Sequence, residues 1–250
     1  HVGCHQSIGM KALLLHGTDE QKKKWLPQCA TGEIVCAYAL TEPGSGSDAG
    51  AMKTLGVYDA EKRAWILNGR KQWITNGGYA NLVTVFARTP VTLDGETKEK
   101  ITCFMVDRGL PGFSSGQPEK KLGIRGSSTT DIVLEDCPVP EFNVIGDVGR
   151  GFKIAMEVLN SGRLTLASGA IGGSKEVLKL ALEHAENRKQ FGQPIVEFEM
   201  IGEKFAEMAV NLYAMESMTY LTTGLCDHSV HDYSIESAMR SPIALSLLAE

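Results

Sequence analysis

The stretch Trp65-Ile66-Leu67-Asn68-Gly69 sets the expectation for the fold. Aromatic and β-branched residues running into Asn-Gly are the strongest short-range hairpin signal. Similar short apolar runs, punctuated by turn residues, lie on either side: Ile34–Leu40, Leu82–Ala87, Ile101–Val106, and Thr130–Glu135, where Ile132 and Leu134 alternate with polar neighbours. No helical pattern of ~10–15 residues separates these runs between Glu33 and about Asn143. That argues against βαβ units and for an antiparallel β barrel or sandwich.

Helical signals flank this region. Gly17, then Thr18 and Gln21, form a capping-box signature, predicting one helix that ends near His16 and another that starts at Asp19. Pro27 is expected to stop the second. From Gly151 the period is helical again, with Phe152, Ala155, Met156 and Leu159 on one face. Phe198, Ile201, Phe205, Met208, Leu212 and Met215 then follow at spacings of 3, 4, 3, 4 and 3, an apolar seam of the kind that packs helix bundles. Ser241-Pro242 interrupts the helical pattern near the end. The expected architecture is α+β: residues 1–33 as the end of a helical domain, 34–147 as a β domain, and 148–250 as part of a helical bundle. His1 opens inside a structured-looking segment, so both ends read as cut.

Composition removes several function classes. Lysine and arginine contribute 25 positive charges against 30 from aspartate and glutamate, a formal balance of −5. A generic nucleic-acid binder would show a basic excess. With 43% apolar and 22% charged residues, the chain can bury a sizeable core. No apolar run approaches the ~18 residues of a membrane span. Six scattered cysteines without a C-x-x-C pair read as reduced thiols.

The densest stretch for chemistry is Tyr38-Ala39-Leu40-Thr41-Glu42-Pro43-Gly44-Ser45-Gly46-Ser47-Asp48-Ala49-Gly50-Ala51, a strand emptying into a loop rich in glycine and hydroxyls. Such a loop admits close backbone approach to a ligand and presents many N–H and O–H groups. The plain alternative is an ordinary turn. It is not a dinucleotide fingerprint, since the third glycine and the following helix are missing.

Ala39-Leu40-Thr41-Glu42, Ser45-Gly46-Ser47-Asp48 and Ala51 resemble the first signature of the acyl-CoA dehydrogenases. Trp73-Ile74-Thr75-Asn76-Gly77 is similar to that family's second flavin-contacting segment. Lys121–Thr129 and Asn187-Arg188-Lys189-Gln190-Phe191-Gly192 resemble two further landmarks, in the same order. Within the family the chain looks most like the very-long-chain branch, from His5–Gly9, Pro118–Lys121 and Leu159–Arg163. The resemblance runs to about Met239.

It implies FAD between the β domain and the C-terminal bundle. Tyr38, Ala39, Leu40, Thr41, Gly46 and Ser47 would line the flavin, with Ser47 also near the CoA moiety of the substrate. Trp73, Ile74 and Thr75 would cover the isoalloxazine, where a donor from Thr75 tunes hydride acceptance. For Trp73 the plain alternative is a core aromatic beside a hairpin. Arg188 would reach the FAD diphosphate of a neighbouring subunit, a role suited to its forked donors; otherwise it is a solvated charge. That sharing implies at least a homodimer. Asn160, Ser161, Gly162 and Arg163 would line the acyl pocket.

The implied reaction is α,β-dehydrogenation of long-chain acyl-CoA to trans-2-enoyl-CoA, with an electron-transferring flavoprotein as reoxidant. Some relatives carry the catalytic glutamate immediately before the arginine at 163; Gly162 stands there. The other family position, a Glu-Gly-Ser/Thr segment, does not occur, and Glu42, Glu119, Glu135 and Glu157 fall at non-catalytic positions. The expectation is therefore an inert chain by itself. A scaffold role on the same fold, as in a relative that serves respiratory complex I assembly, is the competing reading. Cys226-Asp227-His228 with His231-Asp232 could suggest zinc, but one short polar run rarely closes a tetrahedral site. No metal is expected. Lys22–Lys24 reads as a solvated helix face. Relatives imply a mitochondrial matrix or inner-membrane location in a eukaryote, cytoplasm in a bacterium, and peripheral membrane attachment through a segment outside this chain.

Overall fold

The structure, a computed structural model, describes residues 2–93 and 95–228. Helices α1 (Val2–Cys4), α2 (Lys11–His16) and α3 (Asp19–Thr31) lead into strands β1 (Cys36–Ala39), β2 (Leu55–Asp59), β3 (Ala64–Thr75), β4 (Leu82–Leu93), β5 (Glu96–Asp107), β6 (Phe113–Ser115), β7 (Thr129–Pro140) and β8 (Val144–Ile145). Helix α4 (Gly151–Asn187), the short strands β9 (Lys189–Gln190) and β10 (Gln193–Pro194), and helix α5 (Glu199–His228) follow. The composition is α+β as expected. The chain divides into two compact units, His1–Leu159 and Asn160 onward.

In the first unit, Thr18 caps α3 in the predicted box: its hydroxyl accepts the Gln21 N–H, and its own N–H donates to Gln21 Oε1 at 2.8 Å. Pro27 does not stop this helix, contrary to expectation. The chain continues to Thr31 and ends at Gly32, whose φ of 81° is a left-handed C-terminal cap. A proline costs one internal bond there, and the buried Trp25 and Cys29 on the same helix offset it.

The strands form an eight-stranded sheet with the path β6-β7-β3-β2-β4-β5-β8, and β1 added beside β4. Two expectations are corrected. First, the sheet is mixed rather than antiparallel: β1 pairs with β4 in parallel, Cys36 opposite Leu82 through Ala39 opposite Val85. β1 enters from the helical segment, so no hairpin turn imposes an antiparallel partner. Second, Asn68-Gly69 is not a turn. It lies inside β3 at a register shift in the pairing with β7. Asn68 exchanges hydrogen bonds with Asp136, at 3.0 Å and 2.8 Å. A Cβ on Gly69 would lie 2.4 Å from Thr54 Oγ1, so glycine serves close packing here. The actual β2–β3 turn follows Asp59, whose Oδ1 accepts the N–H groups of Glu61 and Lys62.

The run Leu82–Ala87 is buried throughout because it faces two cores in alternation. Leu82 and Phe86 pack with Leu13, Trp25, Ala155 and Val158 from the helices. Val83, Val85 and Ala87 pack with Leu67, Phe104, Ile132 and Val139 inside the folded sheet. There the ring of Trp65 meets that of Phe104 edge-on at 5.8 Å. At the start of α4 the inward face is Ile154, Ala155 and Val158, whereas Phe152 is 43% exposed and not on the expected face.

In the second unit, α4 and α5 are joined by an ion pair between Lys175 and Glu216. Of the apolar seam on α5, Phe198, Ile201, Phe205, Leu212 and Met215 are half-buried and Met208 is exposed. Met208, Leu212 and Met215 line a groove of about 530 Å³ with Ala170, Val177 and Leu178. Phe191 (φ 52°) and Gly192 (φ 87°) make the tight turn between β9 and β10.

Candidate functional site

The loop after β1 is organised by one buried carboxylate. Glu42 Oε2 accepts the Lys53 N–H at 2.6 Å, and Oε1 accepts Thr54 N–H at 3.0 Å, Thr54 O–H at 2.5 Å and the Lys71 ammonium at 2.7 Å. Lys71 is fully buried and also donates to the Leu40 carbonyl at 3.2 Å. Burial opposes the Glu42 charge, yet Lys71 and the surrounding donors outweigh it and hold the carboxyl below the usual carboxylate range. Burial pushes the Lys71 ammonium down to about 8 against the attraction of Glu42, so both are charged at neutral pH. Within the loop, Glu42 and Ser45 exchange backbone hydrogen bonds, and the Ser45 hydroxyl donates to the Asp48 carbonyl at 2.6 Å.

This clamp ties the two segments singled out by sequence. Gln72 donates its N–H to the Thr41 carbonyl at 2.9 Å, setting Thr41 beside the residue that precedes Trp73. Trp73 sits at the second register shift of β3 with φ 58° and is 60% exposed. A bulky residue in the left-handed region is an outlier that the surrounding structure must over-determine. The core-aromatic reading of Trp73 is therefore wrong. Asn76 (φ 65°) secures the far end: its side chain donates to the Cys36 carbonyl at 3.2 Å, and its N–H to the Ser128 carbonyl at 3.0 Å.

The expected flavin-lining residues separate into two groups. Tyr38, Ala39, Leu40 and Ile74 bury their side chains in the two cores, with the Tyr38 hydroxyl donating to the Ala155 carbonyl at 3.2 Å. Thr41 and Thr75 are half-buried, while Gly46, Ser47 and Trp73 are exposed. Among the described residues, the hydroxyls of Thr41, Ser47 and Thr75 have no protein hydrogen-bond partner. A Cβ on Gly44 or Gly46 would meet nothing within 4 Å, so the loop has open space before it. Free hydroxyls, an outward indole and glycine-lined space fit a planar, polar-edged cofactor such as a flavin.

In the second unit, Asn160, Ser161 and Gly162 are half-buried on α4, and exposed Arg163 donates to Asn160 Oδ1 at 2.6 Å. Arg188 is exposed at the end of α4, with no ion-pair partner among the described residues. Cys226 and Asp227 lie near the end of α5; His231 and Asp232 lie outside the described residues. Among the described residues no group of three or more His, Cys, Asp or Glu could hold a metal ion. Lys71 is what sequence reasoning missed. The strand period places it on the face of Leu67, and an inward cation demands a buried partner.

Three family models match the chain: "Acyl-CoA dehydrogenase, N-terminal domain" over residues 1–33, "Acyl-CoA dehydrogenase, middle domain" over 37–137 and "Acyl-CoA dehydrogenase, C-terminal domain" over 149–242. The human mitochondrial very long-chain specific acyl-CoA dehydrogenase is 47% identical over 240 residues, covering 95% of this chain and 37% of that protein. An acyl-CoA dehydrogenase from Bacillus anthracis, solved in complex with FAD, is 42% identical with a TM-score of 0.85, covering 99% of this chain and 41% of that one. Butyryl-CoA dehydrogenase from Megasphaera elsdenii gives a TM-score of 0.89 at 33% identity, over 99% of this chain and 62% of that one. The chain belongs to the acyl-CoA dehydrogenase family. It spans little more than a third of the length of the human relative.

Proposed function

We propose that the chain is part of an FAD-dependent enzyme that oxidises acyl-CoA to trans-2-enoyl-CoA. The observation that carries this reading is the set of hydroxyls that have no protein partner among the described residues, Thr41, Ser47 and Thr75, together with the outward Trp73. Bound FAD would supply the acceptor for the β-hydride. This chain's own residues bind and orient: Thr41 and Thr75 offer hydroxyls to the polar flavin edge, Ser47 to flavin and CoA, and Trp73 covers the ring. Tyr38, Ala39, Leu40, Gly46 and Ile74 shape the cradle through backbone and packing. Asn160, Ser161, Gly162 and Arg163 are assigned to the substrate side, and Arg188 to a flavin diphosphate across a subunit boundary in a dimer or larger oligomer.

No base is assigned among these residues. Glu42 is committed to Lys71, and Glu157 is held by His16 at 2.6 Å. With no carboxylate assigned to remove the α-proton, the isolated chain is expected to bind flavin without turnover.

A preference for long acyl chains rests on the 47% identity to the very-long-chain enzyme. A butyryl-CoA dehydrogenase shares the fold at 33% identity, so chain length is assigned to the lining of the acyl pocket rather than to the fold. Reoxidation by an electron-transferring flavoprotein, and a mitochondrial or bacterial cytoplasmic site according to source, complete the proposal. No helix among the described residues is long and apolar enough to cross a membrane. The scaffold alternative has no specific structural observation in its favour. Purified protein in complete form should show flavin absorbance that bleaches with palmitoyl-CoA and not with buffer. A colourless protein that neither takes up FAD nor bleaches would overturn the reading.

A further inference from the structure

We infer that the buried Glu42–Lys71 pair is a positioning device that holds the Thr41–Ser47 loop and the Trp73–Thr75 segment in register for flavin. The inference rests on the flavin reading above. Lys71 lies two residues before Trp73 and reaches back to both sides of Thr41, the Leu40 carbonyl and Glu42 Oε1. Glu42 in turn fixes the far side of the loop through Lys53 and Thr54. Two N–H donors and a hydroxyl converge on this carboxylate, and the ammonium closes the ring of contacts. Between the clamped points, Thr41 receives the Gln72 N–H, and Ser47 is left exposed, its hydroxyl without a partner among the described residues.

Stability alone is a poor explanation for such a pair. A buried ion pair often equals a neutral, well-packed replacement in stability, whereas losing one partner strands a charge. What the pair supplies is geometry: carboxylate and ammonium must meet in one arrangement, and that arrangement fixes two segments that are 29 residues apart at the pair. The bulge at Trp73 is strained, so it needs a rigid neighbour to persist.

The discriminating variant is the neutral pair Glu42→Gln with Lys71→Met, which strands no charge and nearly conserves volume. Its melting temperature should stay within a few degrees of the unaltered protein. Its FAD affinity, read by quenching of flavin fluorescence, should fall at least tenfold, and amide exchange at Gln72 and Thr54 should quicken. Unaltered FAD affinity together with unaltered exchange would overturn the inference. Should the double variant not fold, Glu42→Asp keeps the charge but retracts the carboxylate by one methylene. Weakened FAD binding by folded Glu42→Asp supports the device, and native affinity overturns it. If the unaltered protein binds no FAD, the flavin reading fails by itself. Exchange at Gln72 and Thr54 in the variants then still decides whether the pair locks the two segments.

Discussion

The Sγ atoms of Cys29 and Cys36 lie 3.5 Å apart in the helix-facing core, with the His5 ring bridging their backbones. His5 Nδ1 accepts the Cys36 N–H at 3.0 Å, so the ring proton is on Nε2, which donates to the Cys29 carbonyl at 3.0 Å. The hydrogen bond from Cys36 lowers the Cys29 thiol, while that contact and burial raise Cys36. Burial also raises Cys103, and it pushes Cys137 up to about 11.

Exposure rather than acidity should rank these thiols. Iodoacetamide on the folded protein is expected to label half-buried Cys4 and Cys226 well before Cys29, Cys36, Cys103 and Cys137. Peptide mass mapping over a time course checks this. Early labelling of Cys29 would mean that α3 opens readily.

Trp73→Ala should cost less than about 1 kcal/mol in denaturant unfolding, against ~3–5 kcal/mol for a tryptophan in a packed core. The side chain is mostly solvated, and glycine at 73 would relieve a left-handed backbone. The same variants should weaken FAD binding, measured by fluorescence titration. A large stability loss with unchanged flavin affinity would return Trp73 to a structural role.

Lys71 sets an alkaline signature. Its folded pKa of about 8 lies below the ordinary 10.5. Between those values the unfolded chain holds a proton that the folded chain has released, so the free energy of unfolding rises with pH there, by at most about 1.4 kcal/mol per unit. Below about 8 both states hold the proton and this contribution is flat. Urea unfolding from pH 7 to 10 should show the rise in the native protein relative to the Glu42→Gln/Lys71→Met form. Parallel curves would contradict it.

Gly69→Ala should destabilise by ~1–3 kcal/mol, because the new methyl would press on Thr54, which also binds Glu42. Thr54→Ser in the same background should recover part of the loss by removing the γ-methyl, which lies 2.7 Å from that position. Thermal melts of the unaltered protein and the two variants check both signs.

The α+β class was legible because local signals agreed: the Thr18–Gln21 box, the helical period after Gly151 and the short apolar runs between them. Pairing partners were not. Asn68-Gly69 carries hairpin chemistry, but Asp136 and Thr54, distant in sequence, capture it for a bulge. The parallel placement of β1 likewise depends on a non-local partner, β4. At the candidate site, residue types in the Thr41–Ser47 loop were informative, whereas the outward turn of Trp73 depends on a register shift that single-residue propensity does not encode.

Strand β4 belongs to both cores, and its twelve residues pair one for one with β5, from Leu82 opposite Asp107 to Leu93 opposite Glu96. A strand shared in this way couples the fates of the layers it separates. Peeling the helices from Leu82 and Phe86 uncovers the wall that Val83 and Val85 need on the other side. Residues 2–159 should therefore unfold as one cooperative block, with the β4 amides among the last to exchange and no stable half-stripped intermediate.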